Sequence, residues 1–115
     1  MKFNYNILEK TDNNSSVSLK LSLYLDDKMA VFDGHFSKFP ILPAVAQLYF
    51  VEKIAQQTIK NLGAFSGMSQ VKFMAPILPK HTAVLLLEYD CDKKLLKFSY
   101  QLDTAIKSKG VLKYI

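Results

Sequence analysis

Arginine and tryptophan are absent from this 115-residue chain, and cysteine occurs once, as Cys91. With no arginine, all fifteen basic residues are lysines, and they give a net charge of +5. Base and phosphate readout leans on the planar guanidinium fork, which an ammonium group cannot imitate, so nucleic-acid binding is not expected despite the basic balance. Scattered lysines suit an acidic protein or an anionic substrate, because compact charges steer encounter without fixing geometry. A single thiol forms no intrachain disulfide and no metal cluster; a reducing compartment and no bound metal are expected. No apolar run reaches the roughly 18 residues of a membrane span. The opening MKFNYNILEK lacks the long apolar core of a signal peptide. A cytoplasmic protein is the expectation.

What the chain has is apolar content. Half of its residues are hydrophobic and 22% are charged, which suits one folded domain over residues 1–115 and hints at surface covered by a partner subunit. Val17, Leu19, Leu21, Leu23 and Leu25 alternate with polar residues, the mark of a half-buried antiparallel strand. Phe3 to Thr11 alternates similarly, with Phe3, Tyr5 and Ile7 on one face, and the Asp12 to Ser16 cluster reads as a turn. Pro43 opens a helix predicted to run from Ala44 to about Asn61, with Gly63 as its stop. Its first part, AVAQLYFV over residues 44–51, is apolar nearly all round and is expected to be buried on every side. Its second part sets Val51, Ile54, Ala55, Thr58 and Ile59 against Glu52, Lys53, Gln56, Gln57 and Lys60. Strands are expected over Ser66–Ile77, Ala83–Asp90, Leu95–Asp103 and Gly110–Ile115, with a hairpin turn at CDKK, residues 91–94. Two strands, one long helix and about four strands make an α+β arrangement, with the sheet curled around the helix.

Two stretches carry a resemblance. GHFSKFPILPAVAQL, beginning at Gly34, resembles the G-H-F-P-x-x-P-x-x-P-G signature of the hotdog-fold 3-hydroxyacyl-carrier-protein dehydratases. VKFMAPILPKHTAVLLLEYD, beginning at Val71, resembles their K-F-x-x-P-V-x-P-G-D strand–turn–strand. The ILPAVAQL wording is similar to that of the smaller dehydratase-like proteins of aryl-polyene-type fatty acyl synthesis. The resemblance implies a hotdog fold, in which an antiparallel sheet wraps one long central helix. It also implies removal of water from a 3-hydroxyacyl thioester carried by acyl carrier protein or coenzyme A. No cofactor is implied.

The resemblance assigns roles residue by residue. His35 matches the histidine that takes the proton beside the thioester carbonyl, a task suited to a base poised near neutrality. Ala44 stands where the signature has glycine and keeps the N–H that binds the thioester oxygen at the start of the helix. Phe36, Ala44, Val45 and Leu48 are expected to line the acyl tunnel. Ser37 replaces a proline of the signature, while Pro40 and Pro43 match. The larger departure is Tyr49, fourteen residues beyond His35, where the family carries a Glu or Asp that serves the partner subunit's site. A phenol donates a proton but does not serve as a carboxylate at neutral pH. Glu52, one helical turn on, and Asp33, beside the histidine, are the candidate substitutes; each has a plain alternative, as a surface helix residue and as a turn cap. His81 is expected to lie exposed in a turn, and Cys91 has no neighbouring base.

Three functions remain open at this point. The chain can be a dehydratase using His35 with Tyr49 and Glu52. It can instead be a degenerate hotdog subunit that holds acyl chains or pairs with another hotdog subunit supplying the acid. Thioester hydrolysis, which shares the fold, is the third. A homodimer or a heterodimer is implied in each case.

Overall fold

The computed structural model describes residues 3–32 and 40–115. Asp33, His35 and Phe36, singled out above, lie outside the described residues. The elements follow in the order β1 (Tyr5–Asp12), β2 (Ser16–Leu25), a short 3-10 turn (Ala30–Phe32), α1 (Ala44–Thr58), β3 (Phe65–Phe73), β4 (His81–Asp90), β5 (Leu95–Leu102) and β6 (Ala105–Tyr114). The strands form a six-stranded sheet in the order β1-β2-β4-β5-β6-β3, with every pairing antiparallel.

The centre of the sheet follows from side-chain alternation. Val17, Leu19, Leu21, Leu23 and Leu25 of β2 are all buried, and β4 sets Ala83, Leu85, Leu87 and Tyr89 beside them on the same face. Leu96, Phe98, Tyr100 and Leu102 of β5 extend that face. Against it α1 buries Ala46, Phe50, Val51, Ile54 and Ala55. Helix and sheet thus cover each other's apolar faces, which is the main stabilising term in a fold of this size.

The sheet curls, as expected. In a flat sheet β1 and β6 would stand four strand spacings apart, about 19 Å, while a helix with its side chains is about 10–12 Å across. Yet both strands reach the same helix. From β1, the Tyr5 hydroxyl donates to Gln57 Oε1 (2.8 Å) and Lys10 Nζ donates to the Thr58 carbonyl (3.1 Å). From β6, the Tyr114 hydroxyl donates to Glu52 and Ser108 to Gln47. The Lys10 ammonium also sits where the helix dipole is negative.

Several boundaries differ from the sequence reading, each for a physical reason. The helix ends at Thr58 rather than near Asn61, and Asn61 (φ 59°) takes the left-handed conformation expected of a helix-stop residue. Gly63 serves a different need: a Cβ there would fall 1.6 Å from the Ile115 carbonyl oxygen, so the close passage of the chain end demands glycine. Pro43 sits at the N-cap in extended conformation (ψ 151°), one residue before the first helical turn. The β1 alternation breaks at a bulge between Ile7 and Glu9, after which Lys10, opposite Leu19, falls on the inner face; Ile7, opposite Leu21, is nonetheless exposed. Last, β6 starts at Ala105, five residues before the expected Gly110, after a tight turn in which Asp103 (φ 49°) and Thr104 (φ 69°) are both left-handed.

The largest correction concerns the first half of α1. Ala46, Gln47, Phe50 and Val51 are buried, but Ala44, Val45 and Tyr49 are exposed, Val45 at 78% and Tyr49 at 40%. Apolar residues all round this turn therefore do not mean burial within one chain. The sheet covers one side of the helix and leaves the Val45–Tyr49 side open.

Candidate active site

The chain approaches α1 through Pro40–Pro43, and that approach is tied down on both sides. Leu42 N–H donates to the Ile77 carbonyl at 2.7 Å. This one bond joins the two stretches that carried the resemblance, ILP at 41–43 and PILP at 76–79. Ile77 is fully buried, so the anchor is rigid. On the other side, Gln47 Nε2 donates to the Leu42 carbonyl at 3.2 Å.

Gln47 and Ser108 are the buried polar side chains among the described residues. The Ser108 hydroxyl donates to Gln47 Oε1 at 2.6 Å, and the Tyr100 hydroxyl donates to the Gln47 main-chain carbonyl at 2.6 Å. An unpartnered buried amide costs several kcal/mol, on the order of 2–7, so this set is stable only because its members satisfy one another. Burial raises the Tyr100 phenol above its ordinary pKa of 10.0, so it remains a proton donor throughout the neutral range.

The helix start is open. Gln47 N–H makes the first helical bond, to the Pro43 carbonyl at 3.0 Å. Proline at the N-cap offers no side-chain acceptor, and the N–H groups of Ala44, Val45 and Ala46 have no acceptor among the described residues. Three amide donors at a positive dipole end suit a developing negative charge such as an enolate oxygen.

The remaining candidate residues are spread around this start. Ala44 and Val45 lie in the open first turn, and Leu48 is half-buried against the core. Tyr49 turns toward the N-terminal strand region, with its ring edge-on to Phe3 at 6.3 Å between centroids. Glu52 turns the other way. Its carboxylate accepts the Tyr114 hydroxyl and, at 2.9 Å, Gln56 Nε2. Burial first, and the Glu52 acceptor second, raise the Tyr114 phenol above its ordinary value, so that proton stays between them. Tyr49 and Glu52 are one turn apart in sequence but engaged on opposite flanks of the helix. His81 opens β4, exposed, with Nδ1 2.8 Å from the Pro79 carbonyl oxygen. Cys91 is half-buried in the β4–β5 turn.

A trough of about 710 Å³ lies elsewhere, on the outer face of the sheet. Lys20, Lys72, Lys97 and Lys109 border it with Glu9 and Glu88, over Leu86 and Val111. None of the described candidate residues lines it. Its shape is the saddle of a twisted sheet, and Glu9 beside Lys20 and Glu88 beside Lys97 are cross-strand charge pairs of a solvent-facing surface.

Gln47 is the residue that sequence reasoning passed over, because it stood inside a stretch read as apolar all round. The available signal was the lone amide in AVAQLYFV. Ser108 was missed with it, since a polar residue at an inward position hid the first half of β6.

With this geometry in view, comparison with solved structures defines the class. The chain aligns with an uncharacterized protein from Erwinia carotovora subsp. atroseptica at TM-score 0.86 and 31% identity, covering 98% of this chain and 95% of that one. It aligns with the dehydratase heterocomplex ApeI:P from Xenorhabdus doucetiae at TM-score 0.80 and 34% identity, covering 98% and 97%. The six-stranded antiparallel sheet around a single long helix is a hotdog fold of the dehydratase type. The family profile described as ApeI-like, ApeI dehydratase, matches residues 9–111, and the chain belongs to that family. Comparison with curated proteins gives no match. No helix among the described residues is long and apolar enough to cross a membrane.

Proposed function

We propose that this chain is one hotdog subunit of a dehydratase that removes water from a 3-hydroxyacyl thioester carried by acyl carrier protein or a related thiol, in lipid biosynthesis. Residues 1–115 act as one domain. In this reading His35 abstracts the proton beside the carbonyl, and the open amides at Ala44–Ala46 receive the charge that develops on the thioester oxygen. Val45 and Leu48, with Phe36, guide the acyl chain. The acid that protonates the departing hydroxyl comes from the helix of a second hotdog subunit.

The observation that carries the proposal is Tyr49. It occupies the position of the family's carboxylate, yet it is 40% exposed on the helix side that this chain's own sheet leaves uncovered, together with Val45. A tyrosine there leaves one half of the chemistry to be supplied from outside. The β3 edge supports the same reading. It presents Phe65, Met68 and Phe73, all more than 40% exposed, along a strand that β6 pairs on one side only among the described residues. An exposed apolar edge strand is a hazard unless another strand covers it. The relative from Xenorhabdus doucetiae is a heterocomplex, which supports a second hotdog chain as the cover.

The test is turnover. The purified chain, alone and mixed with a hotdog subunit carrying the helix carboxylate, is given a 3-hydroxyacyl carrier-protein substrate, and the α,β-unsaturated thioester is measured. Activity in the mixture that disappears with His35→Ala supports the proposal. Activity unchanged by that substitution overturns it. Free thiol released from acyl thioesters would mark a thioesterase instead, and tight acyl binding with no turnover in any mixture would mark a non-catalytic acyl-holding subunit.

A further inference from the structure

We infer that Gln47 is a positioning residue that sets the direction of the helix-start amides by locking the Pro40–Pro43 approach onto the first turn of α1. The inference rests on the dehydratase reading for its kinetic consequence, though not for its structural part.

Every polar group of this residue is used, two of its bonds reaching the Pro40–Pro43 approach and two reaching β5 and β6. The side-chain amide donates to Leu42, in the approach. The side-chain oxygen accepts from Ser108 in β6. The main-chain carbonyl accepts from Tyr100 in β5, and the main-chain N–H donates to Pro43 at the N-cap. Leu42 in turn donates to Ile77, so the approach is held between β6, through Gln47, and the segment preceding β4. These partners lie 53 and 61 residues from Gln47 along the chain. The residue is a junction of the fold rather than a local cap.

The junction sits where a cap is missing. Helix starts are ordinarily fixed by a Ser, Thr, Asp or Asn side chain at the N-cap, which would occupy the first-turn amides. Pro43 offers those amides no side-chain acceptor, and its own bond is the carbonyl that accepts the Gln47 N–H. Gln47 supplies the missing restraint from one turn inside, through the Leu42 carbonyl, without touching the amides themselves. The first turn is thereby held firmly while its donors stay available. Oxyanion donors act through fixed placement, and small displacements at such a site reduce turnover steeply. An apolar residue here would fill the same space but leave the Leu42 carbonyl without its partner.

The test compares wild type, Gln47→Leu and Ser108→Ala, each as full-length protein together with the carboxylate-bearing hotdog subunit. The first readout is amide hydrogen exchange. In both variants the bonded amides of this segment, those of residues 42 and 47, are expected to exchange about tenfold faster or more, while β4 and β5 keep wild-type protection. The second is the split between kcat and KM: kcat falls roughly tenfold or more while KM changes by less than about threefold. Unchanged exchange at residues 42 and 47 overturns the inference whatever the kinetics. Faster exchange with unchanged kcat overturns the functional part. Slowing of kcat that merely tracks a lowered melting temperature, with exchange raised everywhere, also overturns it by showing a general structural role. If the wild-type mixture has no dehydratase activity, the proposed function fails, and the exchange pattern alone decides the role of Gln47. Should Gln47→Leu not fold, Ser108→Ala, which removes only the hydroxyl, carries both readouts.

Discussion

The two sides of α1 obey different rules. The sheet-facing side is closed: Phe50, Val51, Ile54 and Ala55 are fully buried against β2, β4 and β5, and the one amide among them has all its partners. The opposite side, marked by Val45 and Tyr49, is apolar but exposed, and it shares that condition with the β3 edge. The closed side explains why the chain folds. The open side is where the proposed function places a second subunit and the acid that it brings. Hydrophobic patterning does not distinguish a face buried within the chain from one that the single chain leaves bare, and α1 carries both.

The largest effect that would sharpen this contrast lies in the motif. His35→Ala is expected to lower turnover of the two-subunit mixture by roughly 10²–10⁴-fold, measured as enoyl thioester formation, with no change in melting temperature. Next comes Leu85→Ala on the closed side, expected to destabilise by about 2–5 kcal/mol in denaturant unfolding, because the buried leucine leaves a cavity in a packed core. Val45→Ala on the open side is expected to change the stability of the isolated chain by less than about 0.5 kcal/mol, and to weaken association with the partner instead. Equal effects at Leu85 and Val45 would break the comparison. Replacing Met68 on β3 by lysine should leave the chain folded and prevent association, read from the mass in solution.

The smallest effect concerns acid. Asp90 Oδ1 accepts the N–H groups of Asp92 and Lys93 in the β4–β5 turn, and the Lys93 bond chiefly holds its pKa below the ordinary 3.8. Because the folded value is the lower one, the stabilisation is present above pH 3.8 and is lost as pH falls further, through the folded value. The melting temperatures of wild type and Asp90→Asn should therefore differ near neutrality and converge in that acid range. The bonds that Asp90 accepts lie within the turn and involve neither α1 nor β3, so partner association should be unaffected.

Much of the closed side was legible in the sequence. The alternation of Val17 to Leu25 and of Ala83 to Tyr89 gave both strands within two residues, because each strand buries one face and a one-residue slip would expose all of it. What was not legible traces to particular residues. Ser108 and Gly110 face inward in β6, and their small or polar side chains broke the expected pattern; Gly110 is required because a Cβ would stand 2.9 Å from the Phe98 ring. The β1 bulge carried no signal of its own. The first half of α1 was read as buried all round because period and composition do not say which subunit does the burying. The motif placed the candidate site by residue type, and the structure adds the geometry of the helix start and of Gln47. Neither Tyr49 nor Glu52 is brought to the other, an arrangement that one-turn spacing alone did not foresee.

The most direct measurement is the rate of 3-hydroxyacyl dehydration by the chain alone, with Tyr49→Glu, and with a carboxylate-bearing hotdog subunit added. If the His35 site awaits an acid from the helix of a second subunit, the wild-type chain alone should be slow. The added subunit or the introduced glutamate should then raise the rate about tenfold or more. A wild-type chain that is fully active by itself, and that gains nothing from either change, would contradict the account.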